Sequence, residues 1–91
     1  MQLPVSQIQA ILAAVKPKQV AVFGSWVRNQ AQETSDIDLL IEYGRTPDLF
    51  EYQDLVDALE ASLGRRVDLV DVKALPSWMR SQVEQEKVVL Y

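Results

Sequence analysis

The sequence contains no cysteine and no histidine. Without cysteine the chain has no disulfide, no thiolate metal site and no cysteine nucleophile. Without histidine it has no imidazole base and no imidazole metal ligand. Any chemistry at a site in this chain must therefore come from carboxylates, hydroxyl groups, lysine or arginine.

Glycine, proline and long apolar runs are also scarce. Three glycines and four prolines among 91 residues lie at the edges of periodic segments, and no linker-like stretch or internal repeat divides the chain. No window approaches the roughly 20 apolar residues that a membrane helix needs, and the N-terminus lacks the pattern of a secretory signal. We therefore expect residues 1–91 to form a single soluble, cytoplasmic domain without membrane contact.

Positive charge is in the minority. Nine lysines and arginines stand against thirteen aspartates and glutamates, which gives a net charge of −4. An acidic chain repels a phosphate backbone, so direct nucleic-acid binding is not expected. The composition, 48% hydrophobic and 24% charged, is ordinary for a folded domain and excludes disorder.

The first half of the chain predicts one helix and two strands. Ser6 to Gln9 has the form of a capping box, and the apolar spacing that follows predicts a helix to about Lys16, ended by Pro17. The run Gln19–Phe23 predicts a strand that ends in a tight loop, after which residues 26–32 can form a short helix. Ser35–Tyr43 predicts a second strand. Its apolar face holds Ile37, Leu39 and Ile41, and its opposite face begins with Asp36 and Asp38.

The second half begins with a long predicted helix. Thr46-Pro47 predicts its N-cap and its first residue, and Gly64 predicts its end. The apolar stripe of this helix holds Leu49, Leu55, Val56, Leu59 and Leu63. Its acidic residues, Glu51, Asp54, Asp57 and Glu60, predict a solvated face.

Three further elements complete the pattern. Arg66–Val72 predicts a third strand, with Asp68 on its polar face. Pro76 opens a helix to about Glu86, and Lys87–Tyr91 predicts an edge strand. This order of elements predicts an α/β fold, a two-layer sandwich with helices packed on a small mixed sheet.

Three aspartates interrupt strands that are otherwise apolar. Asp36 and Asp38 have Cα atoms about 6.6 Å apart, so both carboxylates can converge on one cation, and Asp68 can join them. At about 4 Å spacing each pair would repel by roughly 4 kcal/mol at an effective dielectric of 20, and a divalent metal would reverse that sign. An all-oxygen site indicates Mg²⁺ or Mn²⁺. In the structural alternative, Asp36 caps a turn, Asp38 hydrogen-bonds a loop and Asp68 faces water.

The loop after the first strand carries a second candidate site. Gly24 allows backbone N–H groups to approach a polyphosphate, and the Ser25 hydroxyl adds a donor to the same oxygens. Arg28 offers a guanidinium fork to phosphate. A plain turn and a surface arginine are the simpler alternatives. An anion-binding loop beside a carboxylate cluster is what metal-assisted phosphoryl or nucleotidyl transfer needs.

These residues carry a family resemblance. Gly24-Ser25, ten residues and then Asp36-Ile37-Asp38 resembles the signature of the minimal nucleotidyltransferases, small members of the DNA polymerase beta-like nucleotidyltransferase superfamily. Val67-Asp68-Leu69 is similar to their single-acid strand motif. The similarity covers essentially the whole chain, and it implies the nucleotidyltransferase fold.

The resemblance also implies a mechanism and a partner. Gly24 and Ser25 would hold the phosphates of ATP, Asp36 and Asp38 would bind two Mg²⁺ ions, and Asp68 would complete the site and orient or deprotonate the attacking hydroxyl. Such proteins are commonly antitoxins paired with an all-helical HEPN ribonuclease toxin. They are understood to transfer AMP from ATP to a tyrosine hydroxyl of that toxin, a protein AMPylation.

Two alternatives remain open at this point. The chain can be an antitoxin that neutralises its partner by binding alone, or a nucleotidyltransferase for a small molecule, although no second domain is present to hold one. A protein acceptor fits the small size and the acidic surface better. Trp26, Trp78 and Met79 are candidates for a contact patch, although Met79 has core spacing with Leu75 and Val83.

Overall fold

The computed structural model describes residues 3–24, 27 and 36–91. In these ranges, three α-helices and four strands are joined by loops and by two short 3₁₀ turns. The helices are α1 (Val5–Leu12), α2 (Leu49–Leu63) and α3 (Ser77–Glu86). The strands are β1 (Gln19–Phe23), β2 (Ile37–Glu42), β3 (Val67–Asp71) and β4 (Val88–Val89). The 3₁₀ turns are Ala13–Val15 and Val72–Ala74.

The four strands form one mixed sheet in the order β3-β2-β1-β4. β1 pairs antiparallel with both β2 and β4, whereas β2 pairs parallel with β3. The parallel connection runs through α2, as a parallel crossover requires. The prediction of helices on a small mixed sheet is confirmed, and so is the edge strand near the end of the chain. The short helix predicted over residues 26–32 lies, except for Val27, outside the described residues.

Each face of the sheet has an apolar cluster, packed against α1 and α2 on the first face and against α3 on the second. The first face contributes the predicted stripe of Ile37, Leu39 and Ile41, which packs with buried residues of α1 and α2. The second face packs against α3. Its smaller cluster comprises Ala21, Phe23, Leu40, Leu75 and Val83, with Met79 partly buried against it. Met79 therefore belongs to the core, as its spacing with Leu75 and Val83 indicates. None of the helices in the described ranges is long and apolar enough to cross a membrane.

The first helix begins and ends earlier than predicted. Pro4 is its N-cap residue, no side chain caps it, and Ser6 lies inside its first turn, so the predicted capping box is wrong. The Pro4 carbonyl oxygen accepts hydrogen bonds from the N–H groups of Gln7 and Ile8, both at 3.1 Å. A proline fits this start because its ring fixes φ and it has no N–H to satisfy. At the other end, Lys16 turns left-handed with φ 47° and Pro17 prevents continuation.

The start of α2 also differs from the prediction. Asp48 is the N-cap residue, and its carboxylate accepts a hydrogen bond of 2.8 Å from the Glu51 N–H, so the assignment of the cap to Thr46 and of the first turn to Pro47 is wrong. Leu49 is consequently the first helical residue, beyond the edge of the core, and 78% of its side chain is exposed. The remainder of the stripe is correct, since Leu55, Val56 and Leu59 are buried. Gly64 ends the helix with φ 68°, as predicted.

Replacing Asp48 by alanine tests this cap. Asp48→Ala should lower the free energy of unfolding by about 1 kcal/mol, because one N–H of the first turn loses its acceptor. Thr46→Ala is the matched control and should change it by less than about 0.5 kcal/mol. Urea denaturation measures both, and a larger effect at Thr46 would restore the sequence-based assignment.

Tyr43, directly after β2, is a second point where stability can be measured. Its hydroxyl is buried without a hydrogen-bond partner among the described residues. Burial, with smaller contributions from Tyr52 and from the negative charge of Asp71, raises the pKa of Tyr43 to about 12. A raised pKa means that the folded chain holds this proton more tightly than the unfolded chain. Stability is therefore complete below pH 10 and falls as the pH rises from 10 towards 12.

Tyr43→Phe should remove part of this alkaline loss. The variant should be as stable as the wild type at pH 7, because no hydrogen bond is lost, and it should keep more of that stability at pH 11. Melting temperatures at both pH values check this. A variant that loses as much stability between pH 7 and pH 11 as the wild type does would contradict the assignment to Tyr43.

Candidate functional site

The strand register places two of the predicted acids side by side. Asp38 of β2 is the register partner of Asp68 on β3 and of Phe23 on β1, so the three residues form one row across the sheet. Neighbouring strands lie about 4.8 Å apart, and register partners point to the same face. The two carboxylates therefore leave the sheet from adjacent points, on the face that α3 covers. Asp38 is half-buried and Asp68 is exposed.

Asp36 lies at the rim of this row. It is exposed and precedes the first residue of β2, so the predicted strand over Ser35–Tyr43 is shorter at both ends. The ladder continues as far as Arg66, whose carbonyl oxygen accepts a 2.9 Å hydrogen bond from the Ile37 N–H. Asp36 and Arg66 therefore stand at the entrance of the two parallel strands, one residue before each.

The donor set agrees in type with a hard divalent cation. The row offers only carboxylate oxygens, which Mg²⁺ prefers. Among the described residues, no three acidic side chains lie close enough together to hold one metal ion. The structure thus brings Asp38 and Asp68 together on adjacent strands and leaves Asp36 at the rim.

Gly24 follows β1 directly and touches the same row. Its φ is 77° and it is buried. A Cβ at this position would overlap the Oδ2 atom of Asp38, so the carboxylate occupies the space that a side chain would need. The carbonyl oxygen of Gly24 accepts a 3.1 Å hydrogen bond from the Val27 N–H.

This contact gives Gly24 a role that the sequence prediction missed. The sequence assigns the glycine to phosphate approach alone, whereas the structure also requires it for the position of Asp38. No sequence signal indicates this contact, because it depends on the antiparallel register of β1 and β2. Ser25 and Arg28, the other predicted phosphate ligands, and Trp26 lie outside the described residues.

Helix α2 fixes the strand that carries Asp68. The Glu60 carboxylate accepts a 2.9 Å hydrogen bond from the Val67 N–H, and the Tyr52 hydroxyl donates one of 2.9 Å to the Leu69 carbonyl oxygen. These two bonds flank Asp68 on the outer edge of β3. Burial, and to a lesser extent the negative charge of Asp68, raises the pKa of Tyr52, so the phenol remains a donor at neutral pH.

The sequence predicts that the acidic face of α2 is solvated, but two of its acidic residues bind other parts of the protein. Glu60 binds the backbone of β3, and Glu51 pairs with Arg45 through two bonds of 2.9 and 2.6 Å. Arg45 also donates to the Ala14 carbonyl oxygen. Sequence spacing alone does not distinguish such pairs from solvated charges, because their partners lie on other elements.

Exchange of Gly24 for alanine tests the contact with Asp38. Gly64→Ala is the matched control, since Gly64 is also left-handed but a Cβ there meets nothing within 4 Å. We expect Gly64→Ala to cost about 1–2 kcal/mol from the backbone conformation. Gly24→Ala should cost at least about 1 kcal/mol more, because of overpacking.

The excess should disappear when Asp38 is replaced by alanine, which removes the atoms that the new Cβ meets. Urea denaturation of the single and double variants measures this coupling. Equal costs at Gly24 and Gly64, or an excess that persists without the Asp38 carboxylate, would refute the contact.

Comparison with known proteins identifies the family of this chain. The family described as polymerase beta, nucleotidyltransferase, matches residues 6–91. The protein adenylyltransferase MntA of Thermococcus cleftensis is 38% identical over 94 residues, which cover 94% of this chain and 95% of that protein.

Solved structures show the same fold. A toxin-antitoxin crystal structure with AMP-PNP includes a chain that is 26% identical, with a TM-score of 0.82 over 98% of this chain and 73% of that one. The complex of a tri-AMPylated Shewanella oneidensis HEPN toxin with an MNT antitoxin includes a chain that is 25% identical to this one. Its TM-score is 0.72, over 96% of this chain and 68% of that one. With its fold, its acidic row and its nearly full-length family match, this chain belongs to the polymerase beta nucleotidyltransferase family and is a nucleotidyltransferase.

Proposed function

We propose that this chain is a metal-dependent antitoxin that transfers AMP from ATP to a tyrosine hydroxyl of a partner HEPN ribonuclease toxin. The observation that supports it most is the register pairing of Asp38 with Asp68 beside Gly24, in a chain of a nucleotidyltransferase family. In this proposal residues 1–91 act as a single domain, in the cytoplasm and without direct contact to nucleic acid.

The site residues divide into two groups in this proposal. Gly24, Ser25 and Arg28 hold the phosphates of ATP. The metal-binding group is Asp36, Asp38 and Asp68, which would hold two Mg²⁺ ions. Bound Mg²⁺ supplies charge neutralisation at the phosphates.

The transfer needs one base and one leaving group. Asp68, exposed on the edge strand, accepts the proton of the acceptor hydroxyl, and the oxygen forms a bond to the α-phosphorus of ATP. The bond from the α-phosphorus to the oxygen bridging to the β-phosphate breaks, and pyrophosphate leaves. Asp38 lies against Gly24, which would hold the phosphates of ATP in this proposal. Asp68 lies on β3, on the side of β2 away from β1.

A protein acceptor is supported by charge and by the comparisons. The net charge of −4 opposes a nucleic-acid acceptor. The relative from Thermococcus cleftensis is a protein adenylyltransferase, and the Shewanella oneidensis complex contains an AMPylated HEPN toxin. An acceptor of the same kind for this chain is the simplest inference.

Intact-mass spectrometry of the partner tests the proposal. We expect a partner HEPN protein, sought first in the gene adjacent to that of this chain, to gain one or more AMP groups when it is mixed with the wild type, ATP and Mg²⁺. Asp68→Asn should still co-purify with the partner but leave its mass unchanged, because the base is lost. Asp54→Asn, on the exposed side of α2, is the matched control and should modify the partner normally. Chelation of the metal should also abolish the mass gain.

The same assay distinguishes catalysis from binding alone. A triple variant with asparagine at positions 36, 38 and 68 should fail to neutralise the toxin. If it neutralises the toxin as well as the wild type does, and neither chain changes the mass of the partner, then binding alone is the function and the adenylyl transfer proposal is wrong.

A further inference from the structure

Two large apolar side chains at the start of α2 face solvent. Leu49 is 78% exposed and Phe50 is 82% exposed, the highest values for large hydrophobic residues in the described part of the chain. They are neighbours in the first turn of α2, and we call the two together the patch. Adjacent exposed apolar side chains of this size are typical of interaction sites.

A pocket of about 320 Å³ opens beside this patch. Its apolar walls include Tyr43, Pro47, Leu49 and Tyr52, and its polar margin includes Asp48 and Asp71. We call the pocket together with Phe50 the docking surface. Its volume suits one large apolar or aromatic side chain, which is the kind of anchor that protein interfaces insert.

The margin of the pocket is acidic. Asp48 and Asp71 each accept one backbone hydrogen bond, of 2.8 Å from Glu51 and 2.9 Å from Lys73, and these bonds orient both carboxylates without neutralising them. The nearby cation Arg45 is held by Glu51 in a two-bond pair. A ligand with positive charge beside its apolar anchor is therefore favoured.

The docking surface lies at the other end of β2 and β3 from the acidic row. Tyr43 follows the last residue of β2, five residues beyond Asp38, which is a distance of about 16 Å along the strand. Asp71 is the last residue of β3. Tyr43 and Tyr52 pack with the cluster of α1 and α2, whereas the acidic row lies on the face that α3 covers. A partner that binds here therefore leaves the acids accessible.

We propose that this surface docks a basic amphipathic segment of the protein that the enzyme modifies, with an apolar side chain in the pocket and lysine or arginine beside Asp48 and Asp71. The identity of the partner, the HEPN protein, rests on the proposed function. A second copy of this chain fits less well, because a two-fold contact uses the same patch of both copies and would bring two acidic margins into one interface.

Binding measured without ATP tests the docking surface separately from catalysis. The affinity of the partner HEPN protein, identified as described above, is determined by calorimetry for the wild type and for Leu49→Ser/Phe50→Ser. We expect the double variant to bind at least tenfold more weakly. Val88→Ser, which removes a 50% exposed side chain on β4, is the control and should stay within twofold of the wild type.

The charge contribution has its own pair of variants. Asp48→Asn and Asp71→Asn keep an oxygen that can accept the backbone hydrogen bond but remove the charge, so folding should be preserved. Together they should weaken binding severalfold and reduce its dependence on salt. Asp54→Asn/Asp57→Asn, at two exposed positions of α2, is the control of equal charge change. Circular dichroism melts verify that each variant folds.

Three results would overturn this assignment. The first is that the Leu49/Phe50 variant binds the partner within twofold of the wild-type affinity. The second is that the wild type does not bind the HEPN protein. The third is that sedimentation shows a dimer of the wild type that the Leu49/Phe50 variant does not form. Failure of the proposed function is a different result: the wild type then binds the partner through this surface but adds no AMP.

Discussion

The parallel pairing of β2 with β3 is the constraint on which the site depends. Because side chains alternate between the two faces of a strand, a slip of one residue would turn Asp68 into the core and expose Leu69. The hydrogen bonds from α2 to Val67 and Leu69 hold the register at the edge strand, where it is otherwise weakest. They also cover backbone groups that an unprotected edge would present to another chain. In our proposal, the helix therefore fixes the position of Asp68 without supplying a catalytic group itself.

The same pair of strands connects the acidic row to the docking surface. The row lies where β2 and β3 begin, and the docking surface lies where they end, with α2 spanning the distance between them. Strand pairing and the contacts of α2 make this distance a fixed property of the fold. In our proposal, an acceptor held at one end therefore presents its hydroxyl at a defined position relative to the other.

Much of the fold was predictable because it follows from local periodicity. The alternation in Ile37–Ile41 predicts a strand, and Gly64 predicts a helix end, since both depend on residues close in sequence. Helix starts were predicted wrongly because Ser6 and Thr46 are good capping residues that compete with Pro4 and Asp48, and packing decides between them. The contact of Gly24 with Asp38 was beyond prediction because it joins residues on different strands. Of the candidate site, the sequence predicts the three acids, whereas only the register places Asp38 beside Asp68.

The close approach of Gly24 to Asp38 also bears on how related chains can diverge. A change at position 24 is blocked for as long as the carboxylate at 38 is present, so the two positions are not free to vary one at a time. A lineage that gave up the carboxylate would relieve the overlap, and a larger side chain at position 24 would then cost only the strain of the left-handed backbone. Among homologues, a bulky residue after the first strand would thus mark chains that kept the scaffold and abandoned the chemistry.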